Sequence, residues 1–208
     1  MTISYILIGI TLIASFYAWN NHSIFHKWIF NPYQVSQKKQ YFRFITSGFI
    51  HSDYIHLFFN MFTFYFFSRA IEVTFLQLFG VLGIVYFLIL YLVGIIVSDI
   101  PTYLRHKNNP GYNSLGASGG VASVVFSYIL FFPTENLYLF AVVPIPGFIL
   151  GILFIIYSYY KGNSTGDNIN HDAHLYGALF GLVFTIMLEP GVINSFIEQL
   201  SHFNPFNF

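Results

Sequence analysis

Gly116-Ala117-Ser118-Gly119-Gly120 opens an apolar run that continues through Val121, Ala122, Val124, Val125, Phe126 and Ile129 to Phe132. A serine between glycines at the start of a hydrophobic helix has a chemical use. The first N–H groups of a helix lack intrahelical partners, and the aligned peptide dipoles concentrate positive charge there. An oxyanion forming at Ser118 meets those donors, and the glycines let a substrate backbone approach without meeting a Cβ. The same five residues also suit a plain contact between membrane helices, where Gly and Ser are common. The rest of the chain decides between the two readings.

Composition sets the surroundings. Of 208 residues, 56% are hydrophobic and 8% charged, against about 25% charged in a soluble domain. The chain therefore lacks the polar surface of a soluble protein and reads as an all-α membrane protein, a single domain over residues 1–208. Its 27 Phe and 16 Tyr fit lipid and interface respectively. Net charge is zero with only 8 Lys and Arg, which leaves no basic footprint for nucleic acid. The absence of Cys excludes thiolate metal sites and cysteine nucleophiles. No Lys or Arg precedes the first apolar run, so a cleaved signal peptide is not expected.

Working outward from Ser118, six spans are expected at about 20 apolar residues each. The first is Ile3 to Trp19, a plain packing helix with no assigned chemistry. Asn20 to Ile50 is a long, aromatic connection holding Lys27, Lys38, Lys39 and Arg43. It reads as a folded loop lying partly in the membrane interface. The second span runs from His51 to Arg69, with Arg69 and Glu72 as a boundary pair. Phe75 to Val97 is the third, followed by a polar connection from Ser98 to Leu115. The fourth starts at Gly116. The fifth, Leu137 to Tyr160, is expected to kink at Pro144 and Pro146. A flexible loop from Lys161 to Asn170 leads to the sixth, Asp172 to Leu188, and a short interfacial tail follows Gly191.

Polar residues inside spans point to function by default. His56 and Asn60 are four apart and share a helix face, although Asn60 would also serve as interhelical hydrogen-bonding glue. His174, Gly177 and Gly181 share a face of the sixth span, and two glycines let that helix approach a neighbour closely. The small residues Ser118, Gly119, Ala122 and Ser123 offer such a neighbour, which brings His174 toward the Ser118 hydroxyl. His56, Asn60, Ser118 and His174 all lie in the first turns of spans entered from odd-numbered loops, so they share one half of the bilayer.

A serine needs a base within hydrogen-bond reach. His174 supplies it, with His171 as a rival from the loop before the helix. Asp172 falls on another helix face, so no third carboxylate is seen and a Ser–His dyad is expected. Asn60, His56 and the Ser118 N–H are candidate oxyanion donors. The pentapeptide also fits the nucleophile elbow of soluble hydrolases, but no strand precedes it. No H-E-x-x-H pattern supports a metal among the histidines, and no cofactor is expected. A small transporter lined by these polar groups is the reading furthest from an enzyme.

Taken together, His51, His56 and Asn60 in H-x4-H-x3-N spacing, Gly116-Ala-Ser118-Gly119, and Ala173-His174 followed by Gly177 and Gly181 resemble the rhomboid family of intramembrane serine proteases. Arg43 and Glu72 also fit its pattern. The resemblance implies a six-helix rhomboid-like bundle with a water-filled cavity, Ser118 as nucleophile and His174 as base. It implies that His56, Asn60, Gly116 and the Ser118 N–H form or support the oxyanion site, with His51 holding the surrounding loop. Implied substrates are single-span membrane proteins cut in or near the span, with the fifth helix and the following loop as gate and cap. The aromatic that many members carry four positions after the nucleophile is Ala122 here, and Tyr176 is a possible stand-in. A non-catalytic, membrane-protein-binding relative is the alternative. The implied location is a bacterial plasma membrane with the site on the exoplasmic side, although the seven Lys and Arg in odd loops would favour the cytoplasm by the positive-inside rule.

Overall fold

The computed structural model describes residues 2–139, 142–162 and 170–204. The chain is mostly helical. Helix α1 (Ile3–Trp19) is followed by three short helices in the first connection: α2 (His22–Trp28), α3 (Pro32–Lys38) and α4 (Arg43–Thr46), the last running into a 3-10 turn at Ser47–Phe49. Then come α5 (Tyr54–Phe79), α6 (Leu82–Ser98), α7 (Ile100–His106) and α8 (Ser118–Phe131). A β-hairpin, β1 (Asn136–Leu139) with β2 (Val143–Pro146), leads to α9 (Gly147–Gly162), α10 (His171–Leu188) and α11 (Val192–Ser201).

Contacts fix the directions of the long helices. His56, Phe67 and Phe75 of α5 meet Gly116, Tyr128 and Phe131 at the start, middle and end of the α8 segment, so α5 and α8 are parallel. Gly119, Ser123 and Ser127 of α8 meet Gly177, Gly181 and Thr185 of α10, so α10 is parallel to both. Helices α6 and α9 run the other way: Ser98 lies against Gly119 and Gly94 against Ser123, while Gly147 lies near Pro133 and Phe154 near Phe126. Helix α1 is antiparallel to α5, with Ile3 at Glu72 and Ser15 at His51. Three helices thus begin at the same end of the bundle. Buried Phe64, Phe75, Phe87, Leu90, Tyr91 and Val124 fill the centre between α5, α6 and α8.

Among the described residues, two segments are long and apolar enough to cross a membrane, Leu82–His106 and His171–Leu188, while α1, α8 and α9 are shorter apolar helices. Helix α5 has 26 residues but carries His56, Asn60, Arg69 and Glu72 along its length.

Several boundaries differ from expectation. The fifth span is shortened, because Asn136–Leu139 and Val143–Pro146 pair as antiparallel strands, with Asn136 opposite Pro146 and Tyr138 opposite Pro144. The prolines have no N–H to give a helix, and in a two-stranded ribbon none is required of them. The second helix does not stop near Arg69. It runs ten residues further and ends at Gly80, whose φ of +59° suits a residue without Cβ. Glu72 does not pair with Arg69. It is buried and accepts from Ile3 N (2.8 Å), Ser4 N (3.1 Å) and the Ser4 hydroxyl. The carboxylate thereby caps the otherwise unsatisfied first turn of α1. The first helix is therefore more than packing, and its buried Ser4, Thr11 and Ser15 face the bundle.

Candidate active site

Ser118 is the first residue of α8, and Ala117 before it gives no side-chain cap. The first-turn N–H groups are therefore left for another acceptor. The entry to this turn is built by distant parts of the chain. Gly116 has φ +118°, and a Cβ there would come within 2.6 Å of His56 Cε1 and 2.7 Å of Nε2. Only glycine allows both the conformation and the approach. Gly116 N donates to Ser47 O at 3.0 Å, and Phe30 and Ser114 exchange backbone hydrogen bonds at 3.0 Å. Asn31 Nδ2 adds bonds to Pro110 O, Tyr112 O and Asn113 Oδ1. The first connection thus fixes the backbone leading into Ser118.

His51 is fully buried in the turn before α5. Its Nε2 accepts from Ala117 N at 3.4 Å, and its Nδ1 lies 3.1 Å from Ser15 Oγ. A backbone N–H can only donate, so Nε2 carries the lone pair and Nδ1 the proton. Ser15 Oγ accepts that proton and donates onward to Phe49 O at 3.2 Å. Trp19 Nε1 holds the His51 carbonyl at 2.8 Å. Burial, with His56 nearby, pushes His51 down to about 3, which keeps it neutral.

His56 stands edge-on to His51, with ring centroids 4.9 Å apart. Its Nδ1 is 3.1 Å from Ser52 Oγ, which is itself 2.7 Å from Asp53 Oδ2. The hydroxyl donates to one of these at a time. The Asp53 carboxylate only accepts, so the hydroxyl donates to it, and Nδ1–H of His56 donates to Ser52 Oγ, which leaves the lone pair on Nε2, the nitrogen facing Gly116. Asp53 caps α5 by accepting from His56 N at 2.8 Å, and this bond with the Ser52 hydroxyl holds its carboxyl below the usual range. Asn60 is buried and donates one amide hydrogen to its own helix, at His56 O (3.1 Å).

Helix α10 carries His174 alongside α8. A Cβ on Gly177 would strike the Gly119 carbonyl, and one on Gly181 the Ser123 carbonyl. Ser123 Oγ donates to Gly177 O at 2.9 Å, and Thr185 Oγ1 donates to Ser127 Oγ at 2.8 Å. The helices touch backbone to backbone at two successive turns, and Ala173 O lies next to Gly119. His174 follows Ala173 directly, at the level of the Ser118 turn. His171 is the first residue of α10 rather than part of a loop, and its ring lies 5.9 Å from that of His174 and 5.5 Å from Tyr157.

Some contributors are not evident from spacing. Phe154 of α9 stacks on His174 at 6.0 Å and 25°. Tyr176, the expected stand-in for an aromatic at position 122, is instead 40% exposed, because it lies about 100° round α10 from Gly177. Asn170 caps α10 at Ala173 N (3.1 Å) while bonding buried Asp99 (3.3 Å) and Thr102 (3.0 Å). Arg105 pairs with Asp172 at 2.7 Å. The i, i+7, i+11 spacing of Ser4, Thr11 and Ser15 was the available signal for the first helix. The rest depend on tertiary contacts. Of the loop expected to cap the site, residues 163–169 lie outside the described residues.

An apolar, mostly helical membrane-protein fold, with a serine at an uncapped helix start beside a histidine-bearing helix, is the class these observations define. The chain belongs to the rhomboid family: the family model described as Rhomboid domain matches residues 38–190. It is also similar to the RHOMBOID-like protein 12, mitochondrial, of Arabidopsis thaliana, at 34% identity over 158 residues, 71% of this chain and 46% of that protein. The chain thus spans about half the length of the curated relative it matches.

Proposed function

We propose that this chain is an intramembrane serine protease that hydrolyses peptide bonds in or near the spans of single-span membrane proteins. The observation that carries the reading is the parallel, backbone-to-backbone contact of α8 and α10, which sets His174 beside the uncapped turn of Ser118. In the reaction, the Ser118 hydroxyl attacks the scissile carbonyl and passes its proton to His174. The oxyanion meets the Ser118 N–H and the remaining amide hydrogen of Asn60, with His56 supporting the turn beside them. His174 then returns the proton to the leaving amine. Water, activated by the same base, releases the acyl group. His51 is a positioning residue, acting through Ala117.

The six long helices are read as six membrane crossings in a lipid bilayer. Helix α8 has 14 residues, about 21 Å, against a hydrocarbon core of about 30 Å. With its C-terminus at the far interface, Ser118 lies inside the bilayer rather than at its surface, which suits a substrate span. The reading keeps the site on the exoplasmic side. The similar Arabidopsis protein is mitochondrial by name, which lends no support to a bacterial plasma membrane, so the compartment is left at a membrane.

The test uses purified wild type, Ser118→Ala and His174→Ala, each reconstituted with a single-span substrate carrying small residues near one membrane boundary. Wild type is expected to cleave, with each variant slower by at least about a thousandfold, and a fluorophosphonate is expected to label Ser118. Equal cleavage by Ser118→Ala would remove the serine assignment. Absence of both cleavage and labelling in the wild type would favour the non-catalytic, protein-binding relative.

A further inference from the structure

Position 122, one turn beyond Ser118, is alanine, and it is buried with Phe126 and Ala178 in a small apolar cluster between α8 and α10. Phe154 enters this cluster from α9. Its ring lies 5.5 Å from Phe126, tilted by 51°, and 6.0 Å from His174, near-parallel at 25°. Both separations are in the range of attractive ring contacts. Phe154 thus packs against the cluster to which α8 contributes the small Ala122. The small residue on α8 and the large one on α9 are therefore complementary.

We propose that Phe154 is the positioning residue for the imidazole of His174, supplied by α9 rather than by the helix that carries the nucleophile. This rests on the reading of His174 as the base. An imidazole free to rotate about χ1 and χ2 is in line with the serine for only part of the time. A flat ring stacked on one face removes that freedom without taking either ring nitrogen. The arrangement also makes the base answer to α9. That helix buries only Gly147, Gly151 and Ser158, while Ile149, Ile152, Leu153, Ile156, Tyr157, Tyr159 and Tyr160 stand exposed. It touches α8 through the small Gly151, against Ile129 and Phe126, and packs Phe154 and Ile155 against the same cluster, of which Phe154 is the one with a ring. Orientation of the base and docking of α9 are one event.

The test separates a ring from mere volume. Phe154→Tyr and Phe154→Trp keep a flat ring, whereas Phe154→Leu and Phe154→Met keep apolar bulk without one. With a single-span substrate, kcat is expected to fall about tenfold or more in Leu and Met, a part of the roughly 10²–10⁴-fold that a positioned base contributes. KM should stay within about twofold, and Tyr should remain near wild type. The activity-independent readout is the His174 ring resonance in 13C,15N-histidine-labelled protein, assigned by its loss in His174→Ala. It is expected to shift and broaden in Leu and Met and to hold its position in Tyr. Phe154→Leu or Phe154→Met matching wild type in kcat, or raising KM alone, would overturn the proposal. So would an unmoved His174 resonance, whatever the activity. A wild type that cleaves no better than Ser118→Ala would instead sink the protease reading, and the resonance would still report whether Phe154 orders the ring. If one ringless variant fails to fold, the other carries the comparison.

Discussion

At the scale of single residues, His51 shows how a buried imidazole serves a site without touching substrate. It joins Ala117 N–H to Ser15 and so ties the start of α8 to α1. Its neutral form is the one the fold needs, and burial pushes it down to about 3 from an ordinary value near 6.5. A group whose folded value is depressed in this way favours the unfolded state once that state takes up a proton. Its contribution is fully present above about pH 6.5 and is lost as pH falls from there toward 3, at roughly 1.4 kcal/mol per pH unit. Wild-type thermal stability in detergent should therefore decline between pH 6.5 and 4 more steeply than that of His51→Gln, which keeps an acceptor but does not titrate. Parallel pH profiles for the two proteins would show that His51 is not the acid-sensitive group.

At the scale of elements, the α8–α10 contact depends on glycine at two places. Gly177→Ala would place a methyl against the Gly119 carbonyl, and overpacking of this kind costs about 1–3 kcal/mol. The displaced residue is next to Ser118, so cleavage should fall along with thermal stability. A variant that loses stability but cleaves normally would show that the two helices part somewhere other than at the site. This contact was legible in the sequence, because glycines recurring on a helix face have few other uses. The His56–Asn60 spacing was legible for the same reason: helical periodicity is local. The hairpin was not, since an apolar run around Pro144 and Pro146 does not distinguish a strand from a kinked helix. Nor was the end of α5. Glu72 looks like a membrane boundary until its partners, Ile3 and Ser4, are seen 69 and 68 residues away. Phe154 stacks on a residue twenty positions ahead in another helix, and no pattern in the chain announces it.

For the whole molecule, the question is what keeps three helix starts at one level, since each reaches that end by a different connection. For α10 the support is Asn170 on Asp99 and Thr102, and for α8 it is the first connection. Its Ser47 carbonyl holds Gly116, its Phe30 pairs with Ser114, and its Asn31 grips Pro110, Tyr112 and Asn113. Arg43 organises that connection from within. It is buried, its Nη1 donates to His26 O (2.9 Å) and Ile29 O (2.6 Å), and its Nε donates to Gln40 Oε1 (2.7 Å). A planar guanidinium meets these diverging acceptors from fixed directions, which an ammonium on a flexible stem does not reproduce. Removing it takes a charged donor from two partly buried carbonyls, at up to about 1.5–3 kcal/mol each. Arg43 sits four residues before Ser47, whose hydroxyl bonds the Arg43 carbonyl at 2.7 Å. The disturbance therefore reaches Gly116 through one further hydrogen bond. Arg43→Ala is expected to lower thermal stability, to open the 20–50 connection to added protease, and to reduce cleavage without abolishing fluorophosphonate labelling. Arg43→Lys should recover only part of each loss. If Arg43→Ala destabilised the connection yet left the rate of cleavage unchanged, the entry to α8 would be held by the contacts at Phe30 and Asn31 alone, and the route from Arg43 through Ser47 to Ser118 would be wrong.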